Sequence, residues 1–135
     1  MKTWSDRSLK NLEGIHPDLR KVMDRALEIS PIDFTITEGL RTKARQAELV
    51  AKGASKTMKS RHITGHAVDL VPMLDLDKDG KIEVQEMYSW PLMRKLNPYI
   101  MQAAKDVHIP ITWGGGWSTF PDGPHYELTF KAYPA

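Results

Sequence analysis

A chain of 135 residues, 41% hydrophobic and 27% charged, is typical of one soluble globular domain, so we expect residues 1–135 to form a single unit without a separate cell-wall-binding domain. The formal net charge is +2, but five of the 17 acidic and two of the 19 basic side chains lie within residues 75–86; the rest is mildly basic, which suits either a polyanionic partner or a merely solvated surface. The absence of cysteine excludes disulfides and thiolate zinc sites, and no apolar run approaches the roughly 20 residues that span a bilayer.

The first half of the chain predicts two helices around a strand. Apolar residues recur at helical spacing over Pro17–Ser30, and proline occupies the favoured first helical position. Phe34 and Ile36 alternate with polar neighbours, which predicts a strand that ends near Gly39. A second helix is predicted over about 42–52, followed by a polar, glycine-punctuated loop.

The second half predicts strands interleaved with a helix. Residues 66–71 are predicted to form a strand, and residues 90–107 carry helically spaced apolar residues with a break expected at Asn97-Pro98. Short strands are predicted at the start of 111–116, before its glycine-rich turn, and within 125–130. This element order predicts an α+β domain with a small antiparallel sheet packed with helices.

Two histidines and an aspartate lie close together in the segment SRHITGHAVDL. Alternate residues of a strand face opposite sides, so His66 and Asp69 are expected to point apart. His62 precedes Gly65, in a turn that can direct its imidazole toward the face of Asp69. His62 and Asp69 are the predicted pair, either as metal ligands or as a satisfied buried contact; Gly65 disfavours a helical metal site formed by His62 and His66.

A second short motif, TFPDGPHYEL, places Asp122 three residues before His125. A catalytic zinc site needs three His or carboxylate ligands, an open position for water, and a nearby carboxylate that accepts the proton of that water. His62, Asp69 and His125 could supply the ligands and Asp122 the base.

The pattern S-x-H-x-x-G-x-A-x-D, followed by acid-x-x-His, resembles the M15 family of zinc peptidases. The pattern is formed by Ser60, His62, Gly65, Ala67 and Asp69. That family includes D-Ala-D-Ala carboxypeptidases and dipeptidases, and the L-alanyl-D-glutamate peptidases that bacteriophages use as endolysins. The phrases EISPIDFTITEGLRT, SRHITGHAVDL and DGPHYEL are most similar to the phage endolysins. The resemblance runs from about the first helix to His125 and implies the D-Ala-D-Ala carboxypeptidase/hedgehog-like fold.

The resemblance also implies roles for individual residues. It makes His62, Asp69 and His125 the zinc ligands and Asp122 the catalytic carboxylate. Arg41 matches a family arginine near the scissile carbonyl, where a guanidinium can stabilise the developing oxyanion; the alternative is a surface ion pair. Ser60 matches a position near the substrate; the alternative is a hydroxyl that caps a turn.

The identity of Asp122 and the position of two tryptophans bear on which substrate is expected. Many relatives with D-Ala-D-Ala activity have Glu where Asp122 stands, which favours the phage-type subgroup. Trp113 and Trp117 flank three glycines and could line a substrate groove, but large aromatic residues are more often part of a core. We therefore leave both tryptophans outside the predicted site.

Residues 75–86, DLDKDGKIEVQE, match the twelve-residue EF-hand calcium loop without a gap, with glycine at position 6. The preceding segment is a predicted strand, so the motif would be an EF-hand-like strand-loop-helix inserted into the domain. The alternative is a solvated acidic loop. The predicted calcium ligands are Asp75, Asp77, Asp79, Lys81 through its carbonyl, Glu83 and Glu86.

The resemblance implies a zinc-dependent peptidoglycan endopeptidase that cuts between L-alanine and D-glutamate, and the EF-hand-like loop predicts that calcium activates it. The alternatives are a D-Ala-D-Ala carboxypeptidase or dipeptidase of the same family, and a calcium-binding interaction module without catalysis. The expected partner is bacterial peptidoglycan rather than nucleic acid or a membrane, and the expected state is a monomer. Residues 1–19 lack a secretory signal. As a phage endolysin, the protein would await holin-dependent release from the host cytoplasm.

Overall fold

The computed structural model describes residues 3–55, 60–74, 78–118 and 121–134. Within these ranges the chain alternates between helices and short strands. A 3-10 turn, Gly114–Gly116, follows the last helix and the third strand. The helices are α1 (Asp6–Leu12), α2 (Pro17–Ile29), α3 (Lys43–Ala51), α4 (Val84–Met87) and α5 (Trp90–Asp106).

The strands form one antiparallel sheet. Its order is β1-β2-β4-β3, so the last strand in the chain lies between β2 and β3. This arrangement confirms the predicted α+β architecture and its small antiparallel sheet. The strands are β1 (Phe34–Glu38), β2 (Ala67–Pro72), β3 (Ile111–Trp113) and β4 (His125–Leu128).

The two faces of the sheet have different chemistry. Val68 and Leu70 of β2, with Tyr126 and Leu128 of β4, belong to the hydrophobic core. The intervening residues of these strands face the other side, as strand alternation requires. Asp69 is paired across the sheet with His125, so an acid and a histidine adjoin on the polar face.

A register shift in β1 adds a second acid to that face. Pairing with β2 is regular from Phe34 to Ile36, and then skips one residue, so that Glu38 lies opposite Asp69. Such a bulge reverses the side to which the following side chain points. The cross-strand row on the polar face is therefore Glu38, Asp69 and His125.

The predicted helices over 17–30 and about 42–52 are confirmed as α2 and α3. His16 caps α2 through its ring, since Nδ1 accepts the Asp18 N–H at 3.0 Å, and the Thr42 hydroxyl accepts the Arg45 N–H at 3.1 Å to cap α3. Buried apolar residues of α2 pack against α5, which in turn contacts β2 and β3. In the described part of the chain, no helix is long and apolar enough to cross a membrane.

The predicted break at Asn97-Pro98 is wrong, because α5 continues through Pro98. Proline removes one helical hydrogen bond, which would have used the carbonyl of Arg94, but both residues lie on the exposed side where water can replace it. Leu96 and Ile100, on either side of the proline, are buried on the same face. Burial of this continuous apolar face outweighs the lost bond, so the helix is not interrupted.

Candidate metal centre

Three predicted ligands converge on the polar face of the sheet. His62 comes from the turn before β2, Asp69 from β2 and His125 from the start of β4. The distance from Asp69 Oδ1 is 3.2 Å to His62 Nε2 and 3.4 Å to His125 Nδ1. Their potential ligand atoms all lie within 4.8 Å of one another. The structure thus brings together side chains that are up to 63 positions apart in the sequence.

The turn before β2 and the backbone carbonyl of Gly39 fix the position and orientation of His62. Gly65 adopts a φ of +76°, and a Cβ at this position would lie 2.8 Å from the carbonyl oxygen of Gly14, so only glycine fits without strain. His62 is almost fully buried, and its Nδ1 donates to the Gly39 carbonyl at 2.8 Å. Nε2 is therefore the nitrogen that faces Asp69, 3.2 Å from its Oδ1.

His125 presents the opposite ring nitrogen to the centre. Its Nε2 donates to Glu127 Oε1 at 2.8 Å, so Nδ1 is the nitrogen that faces Asp69, 3.4 Å from Oδ1. Burial lowers the pKa of His125, but hydrogen bonds to Asp69 and Glu127 outweigh burial and raise the pKa to about 9. The two flanking carboxylates therefore favour positive charge at this ring, and a metal ion bound at Nδ1 would replace the proton there.

Asp69 supplies the negative charge at the centre. Burial alone would raise its pKa, but hydrogen bonds from His125 and His62 hold the pKa well below the ordinary value of an aspartate. Its carboxylate is therefore ionised between two imidazole nitrogens.

The separations at Asp69 fit a tetrahedral zinc ion. Metal–ligand bonds of about 2.0–2.1 Å at tetrahedral angles place neighbouring ligand atoms roughly 3.3–3.4 Å apart. The two distances from Asp69 Oδ1, 3.2 and 3.4 Å, are close to this value. Two imidazoles and one carboxylate also form a ligand set of the catalytic type, which keeps a fourth position open.

Asp122 is held beside the ligands by the glycine-rich turn. Its backbone N–H donates to the Gly114 carbonyl at 2.9 Å, and its own carbonyl accepts the N–H of His125 at 3.2 Å. Burial, reinforced by the nearby charge of Asp69, raises the pKa of the Asp122 carboxyl. A carboxyl group with a raised pKa is suited to accept and return a proton.

Arg41 is a buried ion pair rather than a surface one. Its Nε and Nη2 donate to the two carboxylate oxygens of Glu38, each at 2.7 Å, and its Nη1 donates to Gln46 at 2.7 Å. Nη2 also lies 3.9 Å from Asp69 Oδ2, so the guanidinium faces the candidate ligands. Burial lowers the pKa of Arg41, but its hydrogen bonds to Glu38 outweigh burial, and the pKa is raised overall.

Sequence and structure comparisons with known proteins identify the family to which the chain belongs. The sequence model of the phage L-alanyl-D-glutamate peptidase family matches residues 2–131. The chain belongs to this family. It is 38% identical over 133 residues to the L-alanyl-D-glutamate peptidase of Escherichia phage T5, with 96% of this chain and 91% of the relative covered.

Two bacterial enzymes are also similar. The peptidoglycan L-alanyl-D-glutamate endopeptidase CwlK of Bacillus subtilis is 30% identical over 127 residues, which cover 84% of this chain and 73% of CwlK. The crystal structure of the L-Ala D-Glu endopeptidase ChiX of Serratia marcescens superposes with a TM-score of 0.85 and 43% identity, covering 98% of this chain and 93% of ChiX. The chain therefore has the α+β fold of an L-Ala D-Glu endopeptidase, and the phage-type family that the motifs resemble is confirmed.

A cavity of about 420 Å³ opens onto the centre of this family member. Its walls include Arg41, Ser60, Trp117 and Asp122 together with the three candidate ligands. The Ser60 hydroxyl accepts the N–H of His62 at 3.2 Å and also lies 3.4 Å from Arg41 Nη1. Ser60 therefore caps the turn, as the alternative interpretation held, and also lines the cavity.

The two tryptophans that we left outside the predicted site lie in different surroundings. Trp113 stacks on Tyr126 with ring centroids 6.4 Å apart, and its indole donates to the Gly123 carbonyl. Trp117 instead lies against the His125 ring at 5.1 Å and lines the cavity, with 36% of its surface exposed. The sequence does not distinguish the two tryptophans. The turn between them, Gly114–Gly116, directs Trp113 toward the core and Trp117 toward the cavity.

His66 lies apart from the candidate ligands, as strand alternation predicted. Its Nδ1 contacts the Thr64 hydroxyl at 2.7 Å, and its ring lies 5.3 Å from that of His16.

The sequence interpretation missed the residues that support the site. Glu38 and Gln46 hold Arg41, and Glu127 holds His125. Glu127 could have been found, because it lies two residues after His125 and a strand places such residues on one face. The role of Glu38 could not have been predicted from the sequence, since the side to which its side chain points depends on the bulge in β1.

Gly114→Ala is expected to destabilise the protein by about 1–3 kcal/mol, because the added methyl group overpacks the site. Its Cβ would lie 2.6 Å from the Asp122 carbonyl oxygen and 3.0 Å from the Cβ of His125. Gly116→Ala is the matched control, because a Cβ there meets nothing within 4 Å. Urea unfolding of both variants measures the difference, and equal free energies of unfolding would contradict the expected crowding.

Proposed function

We propose that this chain is a zinc-dependent peptidoglycan endopeptidase that hydrolyses the L-alanyl-D-glutamate bond of stem peptides. The convergence of His62, Asp69 and His125 beside Asp122 in one open cavity carries this proposal. Membership of the family, and the named activity of the relatives in phages and bacteria, supports the substrate and scissile bond. None of the relatives described above is named for D-Ala-D-Ala activity.

In this proposal the three ligands hold zinc, and the other residues of the cavity handle protons and charge. Zinc, when bound, would act as a Lewis acid and lower the pKa of a water molecule in its open position. Asp122 accepts a proton from the attacking water and returns it to the leaving amine, a role that its raised pKa supports. The cation of Arg41 faces the same space and stabilises negative charge on the carbonyl oxygen.

The proposed role of Arg41 in stabilising charge on the substrate is supported by the hydrogen bonds that fix its side chain. Glu38 and Gln46 engage three of its N–H directions, so the guanidinium needs no reorganisation when charge develops on the substrate. Ser60 borders the same cavity and is proposed to contact the substrate. Trp117, opposite, offers an exposed aromatic wall for the peptide chain.

Each of His62→Ala, Asp69→Ala and His125→Ala is expected to abolish stoichiometric zinc binding, because each removes one of three protein ligands. His66→Ala is the matched control and should retain one zinc per chain, since its ring lies apart from the ligands. Metal analysis after dialysis against a weak chelator measures the content. Loss of zinc from His66→Ala with retention in His62→Ala would contradict the ligand assignment.

Asp122→Asn is expected to keep its fold and zinc while losing turnover by about 10²–10⁴-fold, because an amide cannot accept the proton. Asp33→Asn, an exposed aspartate, is the control and should remain active. The assay digests purified sacculi and identifies the new N-termini. Wild-type protein should expose D-glutamate; release of D-alanine instead would reassign the scissile bond, and normal turnover by Asp122→Asn would exclude its role.

We further propose that residues 75–86 bind calcium. The described part of this loop supports the EF-hand-like interpretation, although Asp75 and Asp77 lie outside the described residues. Gly80 has a φ of +88°, and Asp79 Oδ1 accepts the N–H of Lys81 at 2.8 Å, both of which turn the loop sharply. The loop follows β2 and leads into α4, the predicted strand-loop-helix order.

The end of the loop is already shaped by the acid proposed as its final ligand. Glu86 Oε1 accepts the backbone N–H of Glu83 at 2.9 Å, which caps the start of α4, and the Glu86 side chain is buried. The proposed calcium ligands are Asp75, Asp77, Asp79, Glu83 and Glu86, with the carbonyl of Lys81.

Calcium is proposed to activate the enzyme through β2. The loop begins three residues after this strand, which presents Asp69 to the metal centre. An empty loop concentrates five acids whose repulsion would loosen the end of the strand, and a bound cation would remove that repulsion. Ordering the loop would therefore favour the arrangement that binds zinc.

Calcium titration of the wild-type protein is expected to raise activity several-fold at a temperature at which the calcium-free protein remains folded by circular dichroism. The variant Asp75→Ala/Glu86→Gln should show no such rise, because it lacks two calcium ligands. Full activity of the folded, calcium-free wild type would exclude activation and leave calcium a stabilising role.

We also propose that residues 1–135 act as one catalytic domain and as a monomer, a state that the mass in solution tests. Similarity to a phage enzyme supports action as an endolysin, held in the host cytoplasm until a holin admits it to the peptidoglycan.

A further inference from the structure

Glu127 lies between the metal centre and a buried arginine. One of its carboxylate oxygens accepts the His125 Nε2–H at 2.8 Å, and the other lies 3.4 Å from Arg61 Nε. The side chains of Arg61 and Glu127 are only 10% and 15% exposed. Screening by water is therefore weak, and the two charges depend on each other.

Arg61 is itself fixed by the C-terminal segment. Its Nη2 donates to the carbonyls of Leu128 and Tyr133 at 2.9 and 2.8 Å, and its guanidinium lies 5.2 Å from the centre of the Phe130 ring. Its Nε and Nη1 are buried without a hydrogen-bond partner among the described residues. The adjacent carboxylate of Glu127 is therefore what balances this buried cation.

The two candidate histidine ligands consequently have unequal supports. His62 donates to a neutral carbonyl, that of Gly39, whereas His125 donates to a carboxylate. A carboxylate partner fixes the tautomer and ring orientation of a metal-binding histidine and makes its other nitrogen a stronger donor. Glu127, which supports His125, also contacts Arg61, and Arg61 in turn donates to carbonyls of the C-terminal segment.

We propose that Glu127, held in place by Arg61, is a positioning residue that orients His125 for metal binding and links the C-terminal segment to the metal centre. This inference rests on the proposed zinc site. It predicts that zinc affinity depends on a residue that does not contact the ion.

The test compares zinc dissociation constants, measured by competition with a chromophoric chelator, for the wild-type protein and two variants. Glu127→Gln keeps a hydrogen-bond acceptor but removes its charge, and should weaken zinc binding about 10-fold. Asp106→Asn removes the acid of the Arg25–Asp106 pair, which is remote from the centre, and should leave affinity unchanged. Equal affinity of folded Glu127→Gln and wild type would overturn the inference while the zinc site itself stands.

A second variant addresses the case in which unpaired Arg61 unfolds the protein. Glu127→Gln/Arg61→Gln removes both charges together, leaves no unbalanced buried cation, and is also expected to bind zinc about 10-fold more weakly.

Imidazole nitrogen NMR of the zinc-loaded wild type gives a measurement that needs no variant. His125 should be protonated at Nε2 and His62 at Nδ1. Protonation of His125 at Nδ1 would overturn the inference, whereas a wild-type protein that binds no zinc would overturn the proposed function and this inference with it.

Discussion

The candidate metal centre depends on the contacts of one ionised carboxylate, that of Asp69. It lies within 3.4 Å of nitrogens from His62 and His125, which otherwise belong to different segments of the chain. Without a negative charge between them, two buried imidazoles would have little reason to adjoin. Nε2 of His62 and Nδ1 of His125 instead both face Asp69 Oδ1, so that one divalent cation could reach all three ligand atoms.

The sheet makes this convergence possible by aligning three strands in one cross-strand row. Asp69 has His125 on one side through regular antiparallel pairing, and Glu38 on the other only because β1 contains a bulge. Glu38 then holds Arg41 with two short hydrogen bonds. One irregularity in a short strand thus places a cation beside the candidate ligands, where a regular strand would have turned its acid toward the core.

The buried charges around the candidate metal centre form two ion pairs. Arg41 is balanced by Glu38, and Arg61 by Glu127, so that the two buried guanidinium groups of the cavity each have a nearby carboxylate. Breaking such a pair by removing one partner costs more than the pair contributes, since the remaining charge is left in a poorly solvated environment. Removing one partner of either ion pair is therefore expected to destabilise the fold as well as to disturb the site.

Local patterns in the sequence predicted the helices α2 and α3, the strands, the α+β class and the pair of His62 with Asp69, because helical spacing and strand alternation act over a few positions. The requirements of a zinc site added His125 and Asp122, and the family resemblance implied the same roles. The sequence alone placed a break at Pro98, since the local cost of proline is evident while burial along the whole of α5 is not. Only the tertiary structure placed Trp117 against His125, turned Glu38 toward Asp69, and joined Arg61 to Glu127. These contacts depend on a bulge, a glycine turn and pairing between distant strands, whose geometry is set by long-range packing rather than by neighbouring residues.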